Sequence, residues 1–145
     1  MNLEEFYAQI GGDYADTLQR LCNENMVKKF VKKYQDDPTC ADLHNAVLQQ
    51  DWEAAFRGAH TLKGVAQNLG FERLYQVSAV LTEAMRGEKP LEDRSLLDAV
   101  EQQDAAIRRA ISELSKSKGR TVGSSFSVCQ KMQQFRLLCF VRQHA

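Results

Sequence analysis

The sequence has few residues that break helices, and its charges balance. Only two of its 145 residues are proline, and no segment alternates apolar and polar residues for long, which argues against strands. No apolar run approaches the roughly 18 residues of a membrane span. The 19 Lys and Arg residues equal the 19 Asp and Glu residues, whereas a general nucleic-acid binder would show a basic excess. Membrane spanning and nucleic-acid binding are therefore not expected.

The cysteines show no spacing that is typical of a metal site. Cys22, Cys40, Cys129 and Cys139 never stand in a C-x-x-C arrangement, so reduced thiols are the simplest interpretation and no zinc site is expected. A cytoplasmic location fits this use of cysteine. The apolar content of 43% in 145 residues is enough to form one domain with its own core.

Apolar residues recur at three to five positions along most of the chain, which predicts an all-α protein. The expected helices cover about residues 2–10, 13–35, 39–50, 51–69, 71–86 and 92–117. Short connections favour antiparallel neighbours, so we expect an antiparallel up-and-down four-helix bundle with a short N-terminal helix. Whether 39–50 and 51–69 form two helices or one bent arm stays open at this point.

Local signals define several helix ends and buried faces. Thr39 with Asp42 resembles a capping box, Asp51 is a plausible N-cap, and Gly70 is suited to a left-handed helix end. The residues expected to face the core of the helices other than 51–69 are Tyr14, Leu18, Leu21, Met26, Phe30, Tyr34, Leu43, Ala46, Val47, Leu74, Val77, Leu81, Met85, Leu97, Val100, Ile107, Ile111 and Leu114, with Asp104 interrupting the last helix.

The composition changes near residue 119, so we expect a domain over 1–118 and an extra C-terminal segment over 119–145. The stretch "GRTVGSS" is typical of a linker. The apolar and basic stretch after it is interpreted in three ways: a final helix on the bundle, a helix that meets another chain, or a sequence unrelated to the domain.

The stretch "AHTLKGVAQNLG" holds the candidate site. Ala55, Ala59, Leu62, Ala66 and Leu69 form a core stripe at helical spacing. At about 100° per residue, the histidine at position 60 lies roughly 140° from the centre of that stripe, towards solvent. A glycine follows it by one turn, although glycine costs a helix interior about 1 kcal/mol relative to alanine.

Three neighbours make this histidine unusual. Lys63 can reach a group bound at the ring of His60, and Gly64 removes a side chain beside that ring. Gln67, two turns further on, can hydrogen-bond a ring nitrogen or a bound oxygen. The same face also carries Glu53, Phe56 and Arg57, which we expect to serve partner docking. Phe56 has a second interpretation, as a ring packed by the neighbouring helix. His44 and His144 have no such neighbourhood and are interpreted as structural or surface residues.

The residue types exclude some chemistry and favour one kind. A metal site needs several converging ligands, and a hydrolytic triad needs a nucleophile with a base and an acid; neither set is present around His60. Neutral imidazole is a competent nucleophile near pH 7. A cation beside it can offset the charge of a transferred phosphoryl group. We therefore expect no metal ligands and a role in transferring an anionic group.

The stretch "AHTLKGVAQNLGFERL", with its His-x-x-Lys-Gly centre, resembles the signature of the histidine-containing phosphotransfer (Hpt) domain. The resemblance runs from about residue 3 to 114 and implies a bundle with the histidine midway along one helix. It implies a phosphorelay in which His60 accepts a phosphoryl group from one receiver-domain aspartate and passes it to another. Lys63 and Gly64 take the flanking positions of the motif, and Gln67 matches a position that helps orient the ring.

The resemblance also implies partners and the limits of the activity. The partners are response-regulator receiver domains, with a hybrid sensor kinase as a further candidate, and the Mg²⁺ ion needed for transfer belongs to the receiver. The chain contains no glycine-rich nucleotide loop, so we expect a phosphocarrier and not a kinase. We also expect it to be a monomer and to hold no cofactor of its own. Two alternatives stay open: a helical scaffold that binds receivers without carrying phosphate, and an Hpt domain cut from a larger hybrid kinase.

Overall fold

The computed structural model describes residues 1–116, which form seven helices and no strand. The helices are α1 (Leu3–Ile10), α2 (Tyr14–Leu21), α3 (Glu24–Tyr34), α4 (Thr39–Leu48), α5 (Trp52–Leu69), α6 (Glu72–Ala84) and α7 (Ser95–Lys116). The all-α prediction is confirmed. The predictions for the linker and C-terminal segment, for Cys129, Cys139 and His144, and for the helix end at 117 lie outside the described residues.

Helices α4 to α7 form an up-and-down bundle. Each packs against the next along the chain, and α7 packs against α4 to close the bundle. Helices α4 and α5 form a hairpin, because Leu43 lies against Gly58 across their interface. They are therefore two helices, and the alternative of one bent arm was wrong. Helix α3 packs against α5 and α7, and α1 packs against α7.

The core is continuous through the bundle and reaches the N-terminal helices. At one end Phe71 makes edge-to-face contacts with Phe6 and Tyr34, and the Tyr7 hydroxyl donates to the Leu69 carbonyl oxygen at 2.7 Å. These contacts fix the C-terminal end of α5 against α1 and α3. None of the helices between Met1 and Lys116 has the length and apolar content that a membrane span would need.

The helix predicted over 13–35 is broken into two. Cys22 adopts a left-handed conformation with φ of 63°, and the Asn23 side chain accepts a hydrogen bond from the Asn25 amide at 2.7 Å. Asn23 is thus an N-cap that starts a new helix. Since the apolar spacing continues almost unchanged across the break, periodicity alone predicts a single helix here.

The break rotates the buried face. Val27 and Val31 take core positions in α3 beside Phe30 and Tyr34. The predicted core residues nearer the break are only partly buried: Tyr14, Leu18, Leu21 and Met26. In α6 the predicted Val77 is also only partly buried.

The N-terminus of α4 is also capped differently from the prediction. Asp37 accepts hydrogen bonds from the Thr39 amide at 2.8 Å and from the Thr39 hydroxyl at 2.5 Å. Thr39 is therefore the first helical residue, and the capping box of Thr39 with Asp42 was wrong. The Asp37 carboxylate satisfies the free amide of Thr39, because Pro38 at the N-cap position has no side-chain acceptor, and the Asp42 amide donates to the Pro38 carbonyl oxygen instead.

Candidate functional site

Helix α5 is a firmly anchored platform for the candidate site. Asp51 caps its N-terminus by accepting from the Ala54 amide at 3.2 Å, and Gly70 ends it with φ of 70°. Both helix ends were predicted. The predicted core stripe is buried at every position: Ala55, Ala59, Leu62, Ala66 and Leu69. Small side chains on that stripe let α5 approach its neighbours closely, so the opposite face is held in a fixed position.

His60 lies midway along this platform and stacks on an aromatic ring. The ring planes of Phe56 and His60 are 7° apart and their centroids are separated by 6.0 Å, an offset parallel arrangement. Phe56 is itself partly buried against the core. His60 is half-buried, whereas the helix count placed it well out towards solvent. The stacked ring accounts for part of the difference, because Phe56 covers one side of the imidazole.

Lys63 and Gly64 follow His60 on the next turn. Lys63 is half-buried, and its position three residues after His60 places both side chains on one side of α5. Gly64 is buried, although the helix count placed it on the exposed face. A glycine presents only backbone, so longer neighbouring side chains cover it readily. Gly64 therefore contributes a position without a side chain, beneath the neighbouring residues.

The remaining predicted residues lie one or two turns away. Arg57 donates to Glu53 at 2.6 Å, and both side chains are well exposed. This ion pair one turn before His60 gives that end of the face no net charge. Gln67 is exposed at a level about 10 Å along the helix from His60. Its part in orienting the ring stays a prediction.

A charged pair lies at the C-terminal end of α6, formed by Glu83 within the helix and Arg86 two residues after its end. Arg86 holds the Glu83 carboxylate through two hydrogen bonds, of 2.9 Å from Nε and 2.5 Å from an η nitrogen. The hydrogen bond from Arg86 holds the pKa of Glu83 below its usual range, and the charge of Lys63 acts in the same direction. Glu83 therefore belongs to the electrostatic surroundings of Lys63.

A second polar region lies between α4 and α7. Tyr34 donates to Asp104 at 2.5 Å, and Arg108 binds the same carboxylate at 2.9 Å while donating to the backbone oxygen of Asp37 at 2.7 Å. Burial raises the pKa of Tyr34 well above its usual range, with the charge and hydrogen bond of Asp104 adding to this effect. The phenol therefore stays a donor at neutral pH, and the network links the α3–α4 connection to α7.

This region also forms a cleft of about 390 Å³, and His44 contacts Glu101 across it. The structural interpretation of His44 therefore fits what is seen, since its ring joins α4 to α7. Asp104, which interrupted the apolar pattern of the last helix, is the centre of the network.

Among residues 1–116, no three side chains of the metal-binding types lie close enough together to hold an ion.

Comparison with known proteins identifies the family of the chain. A family model described as the Hpt domain matches residues 25–117, which is more than half of the chain. The searches of curated proteins and of solved structures found no match. Hpt domains are phosphocarriers without a kinase module, and they interact with receiver domains in two-component signalling. Since the matched range contains α4 to α7 and the helix that carries His60, the chain belongs to the Hpt domain family and has a phosphotransfer role of that general kind.

Proposed function

We propose that this protein is a phosphorelay intermediate in which His60 accepts a phosphoryl group from one receiver-domain aspartate and transfers it to another. The observation that carries the proposal is the arrangement around His60. The imidazole is stacked on Phe56, and Lys63 and Gly64 occupy the next turn of a helix whose other face is buried. We also expect the protein to act as a monomer in the cytoplasm.

The transfer step balances without any further reactant. A ring nitrogen of neutral His60 attacks the phosphorus of an aspartyl phosphate with its lone pair. The bond between that phosphorus and the aspartate oxygen breaks, and its electrons leave with the carboxylate. The product is a phosphorylated ring, and the proton on the other ring nitrogen can stay or pass to solvent. Transfer to a second receiver runs the same step in reverse.

The chain's own groups mainly position and stabilise the reacting atoms. Phe56 limits rotation of the imidazole, so the attacking nitrogen keeps one direction. The ammonium of Lys63 offsets the negative charge on the phosphoryl oxygens, and Gly64 places no side chain beside the ring. Gln67 is assigned the weaker task of orienting the ring or the phosphoryl group. We expect Mg²⁺ held by the receiver domain to supply further charge stabilisation.

Incubation with receiver domains charged by radiolabelled acetyl phosphate tests the proposal. The wild-type protein should take up label that resists base and is lost in acid, as expected for a phosphohistidine. His60→Gln should take up none, whereas His44→Gln should be labelled normally because His44 contacts α7 instead of the α5 face. Label retained by His60→Gln would show that the phosphoacceptor is another residue. Receiver binding without any labelling would favour a scaffold.

A further inference from the structure

Helix α3 concentrates positive charge on a domain that is acidic overall. Residues 1–116 contain 14 of the chain's basic residues and all 19 of its acidic ones, so their net charge is −5. No acidic residue occurs between Glu24 and Asp36. Four of the 14 basic residues lie within six positions of this interval: Lys28, Lys29, Lys32 and Lys33.

These four lysines form the outer face of α3, which we call the lysine face. The opposite side of the helix is fixed in the core, where four of its side chains are buried: Val27, Phe30, Val31 and Tyr34. At about 100° per residue, the lysines cover the remaining side. Lys29 and Lys32 are exposed, and Lys28 and Lys33 are half-buried.

The lysine face is not neutralised by the part of the chain that the structure describes. Lys28, Lys29 and Lys32 form no ion pair with any residue of 1–116. Like charges four residues apart, such as Lys28 and Lys32, destabilise a helix. The helix dipole favours Lys32 and Lys33 in the last turn, but Lys28 and Lys29 lie further back. Their charges therefore have no stabilising role in the fold.

The lysine face lies at the end of the bundle where α5 turns into α6. The ring of Tyr34, the last residue of α3, contacts Phe71 in this turn with 5.3 Å between centroids. Helix α2, which leads into α3, reaches the same turn through the hydrogen bond from Thr17 to the Leu69 carbonyl oxygen. His60 is nine residues before Leu69, about 14 Å along α5. The lysine face is therefore separate from the site around His60.

We infer that the lysine face binds a short acidic segment of a partner protein. Carboxylates spaced four residues apart on a helix match lysines at the same spacing, so charge complementarity defines the occupant. Glu24 and Asp36 are exposed at the two ends of the lysine face, about 18 Å apart along the helix. A compact acidic segment fits between them. This inference goes beyond the proposed function and does not depend on it.

The flanking acidic residues also distinguish this occupant from other anions. A membrane surface or a nucleic acid carries negative charge over a longer distance, so it would meet Glu24 and Asp36 as well as the lysines. A second copy of the chain that presented the same face would set lysine against lysine. A local cluster of carboxylates has neither disadvantage.

Neutralising substitutions test the lysine face without disturbing the core. The variant Lys28→Gln/Lys29→Gln/Lys32→Gln removes three charges and keeps residues that favour a helix. It should melt at or above the temperature of the wild-type protein, because repulsion along α3 is reduced. Circular dichroism melting checks this expectation.

The matched control removes the same number of charges from exposed residues elsewhere. It is the variant Lys89→Gln/Arg109→Gln/Lys116→Gln, in which all three side chains are exposed. Both variants therefore have the same net charge. A difference between them reports the position of the charges and not their number.

The test is fluorescence anisotropy with a labelled synthetic peptide that carries a glutamate at every fourth position, and its glutamine version is the neutral probe. At about 50 mM salt, the lysine-face variant should bind the glutamate peptide about tenfold more weakly than wild type, and the control variant within about twofold of it. The wild-type protein should bind the neutral probe more weakly than the glutamate peptide.

Four results would overturn the inference. They are equal dissociation constants for the two variants, no binding of the glutamate peptide by the wild-type protein, tighter binding to phosphatidylserine vesicles or duplex DNA at equal negative charge, and self-association that the lysine-face variant abolishes. Labelling of His60 is measured separately. Its failure would remove the proposed function without changing the outcome of the peptide experiment.

Discussion

The rings of Phe56 and His60 lie 7° from parallel on consecutive turns of α5, with 6.0 Å between their centroids. Aromatic pairs of this kind contribute about 0.5–1.5 kcal/mol beyond their buried area. Phe56→Ala should therefore free the imidazole and lower the rate of phosphoryl uptake by roughly three- to tenfold, because a smaller share of ring orientations can attack. Initial rates of labelling at saturating receiver concentration measure this effect.

Phe56→Tyr is the control for that experiment, since it keeps the ring and should keep the rate. A urea unfolding curve for each variant separates loss of orientation from loss of fold, because Phe56 also packs against the core. If Phe56→Ala is labelled as fast as wild type, the stacking contact does not position the ring.

Gly64 provides the second prediction, because it is buried on the turn that follows His60. A long side chain at this position has to displace the residues that cover it and fill space beside the imidazole. We expect Gly64→Gln to slow phosphotransfer at least tenfold while the circular dichroism spectrum stays helical. Thr61→Gln places the same side chain at an exposed position of α5 and should transfer normally. Equal rates for the two variants would contradict the steric role of Gly64.

The helices that were predicted well are those with an uninterrupted core stripe. In α5 every predicted core position is apolar and buried, so period and burial agree. The error in the 13–35 helix has a local cause. Cys22 takes a left-handed conformation that non-glycine residues rarely adopt, and nothing in its residue type indicates it. Asn23 was the available signal, as an N-cap residue followed by Glu24.

The residues of the site that lie on one helix were predicted from the sequence. The residues that come near it from a second helix were missed. His60, Lys63 and Phe56 lie on α5, so helical geometry alone brings them together. Glu83 comes within range of the charge of Lys63 only through the register of α6 against α5, which no single helix can indicate. The burial of Gly64 was missed for a similar reason, because the cover over a glycine depends on its neighbours.

The third prediction concerns stability at alkaline pH. Burial, together with the charges of Asp104 and Glu101, raises the pKa of the Cys40 thiol from 9.0 to about 12. The folded protein thus holds this proton more tightly than the unfolded chain does. The contribution is complete below about pH 9 and is lost as the pH rises towards 12, because the unfolded thiol ionises first. The free energy of unfolding should therefore decline over this range.

Urea unfolding at a series of pH values measures that decline. Cys40→Ala removes one titrating group, so its free energy of unfolding should fall less steeply between pH 9 and 10.5, by up to about 1.4 kcal/mol per pH unit. Cys22→Ala is the control, because Cys22 is exposed. The comparison uses slopes, so the constant loss of packing in Cys40→Ala does not affect it. Equal slopes for both variants and wild type would contradict the prediction.

The fourth prediction concerns the turn that sets the register of α5 against α6. Gly70 has φ of 70°, and a Cβ atom there would lie 1.9 Å from the Thr17 hydroxyl oxygen and 2.7 Å from the Asp13 carbonyl oxygen. The Asp13 amide also donates to the Gly70 carbonyl at 2.9 Å. A side chain at position 70 would therefore have to push α2 away from this turn.

Gly70→Ala should lower the free energy of unfolding by about 2–4 kcal/mol, the sum of left-handed strain and the contact with α2. Gly87→Ala isolates the first of these, because Gly87 has φ of 78° and a Cβ atom there would meet nothing within 4 Å. It should cost only about 1 kcal/mol. Urea unfolding of both variants gives the difference, and equal costs would mean that α2 yields to the added methyl group. Because Gly70 also joins α5 to α6, its alanine variant should raise KM for the receiver, whereas Gly87→Ala should not.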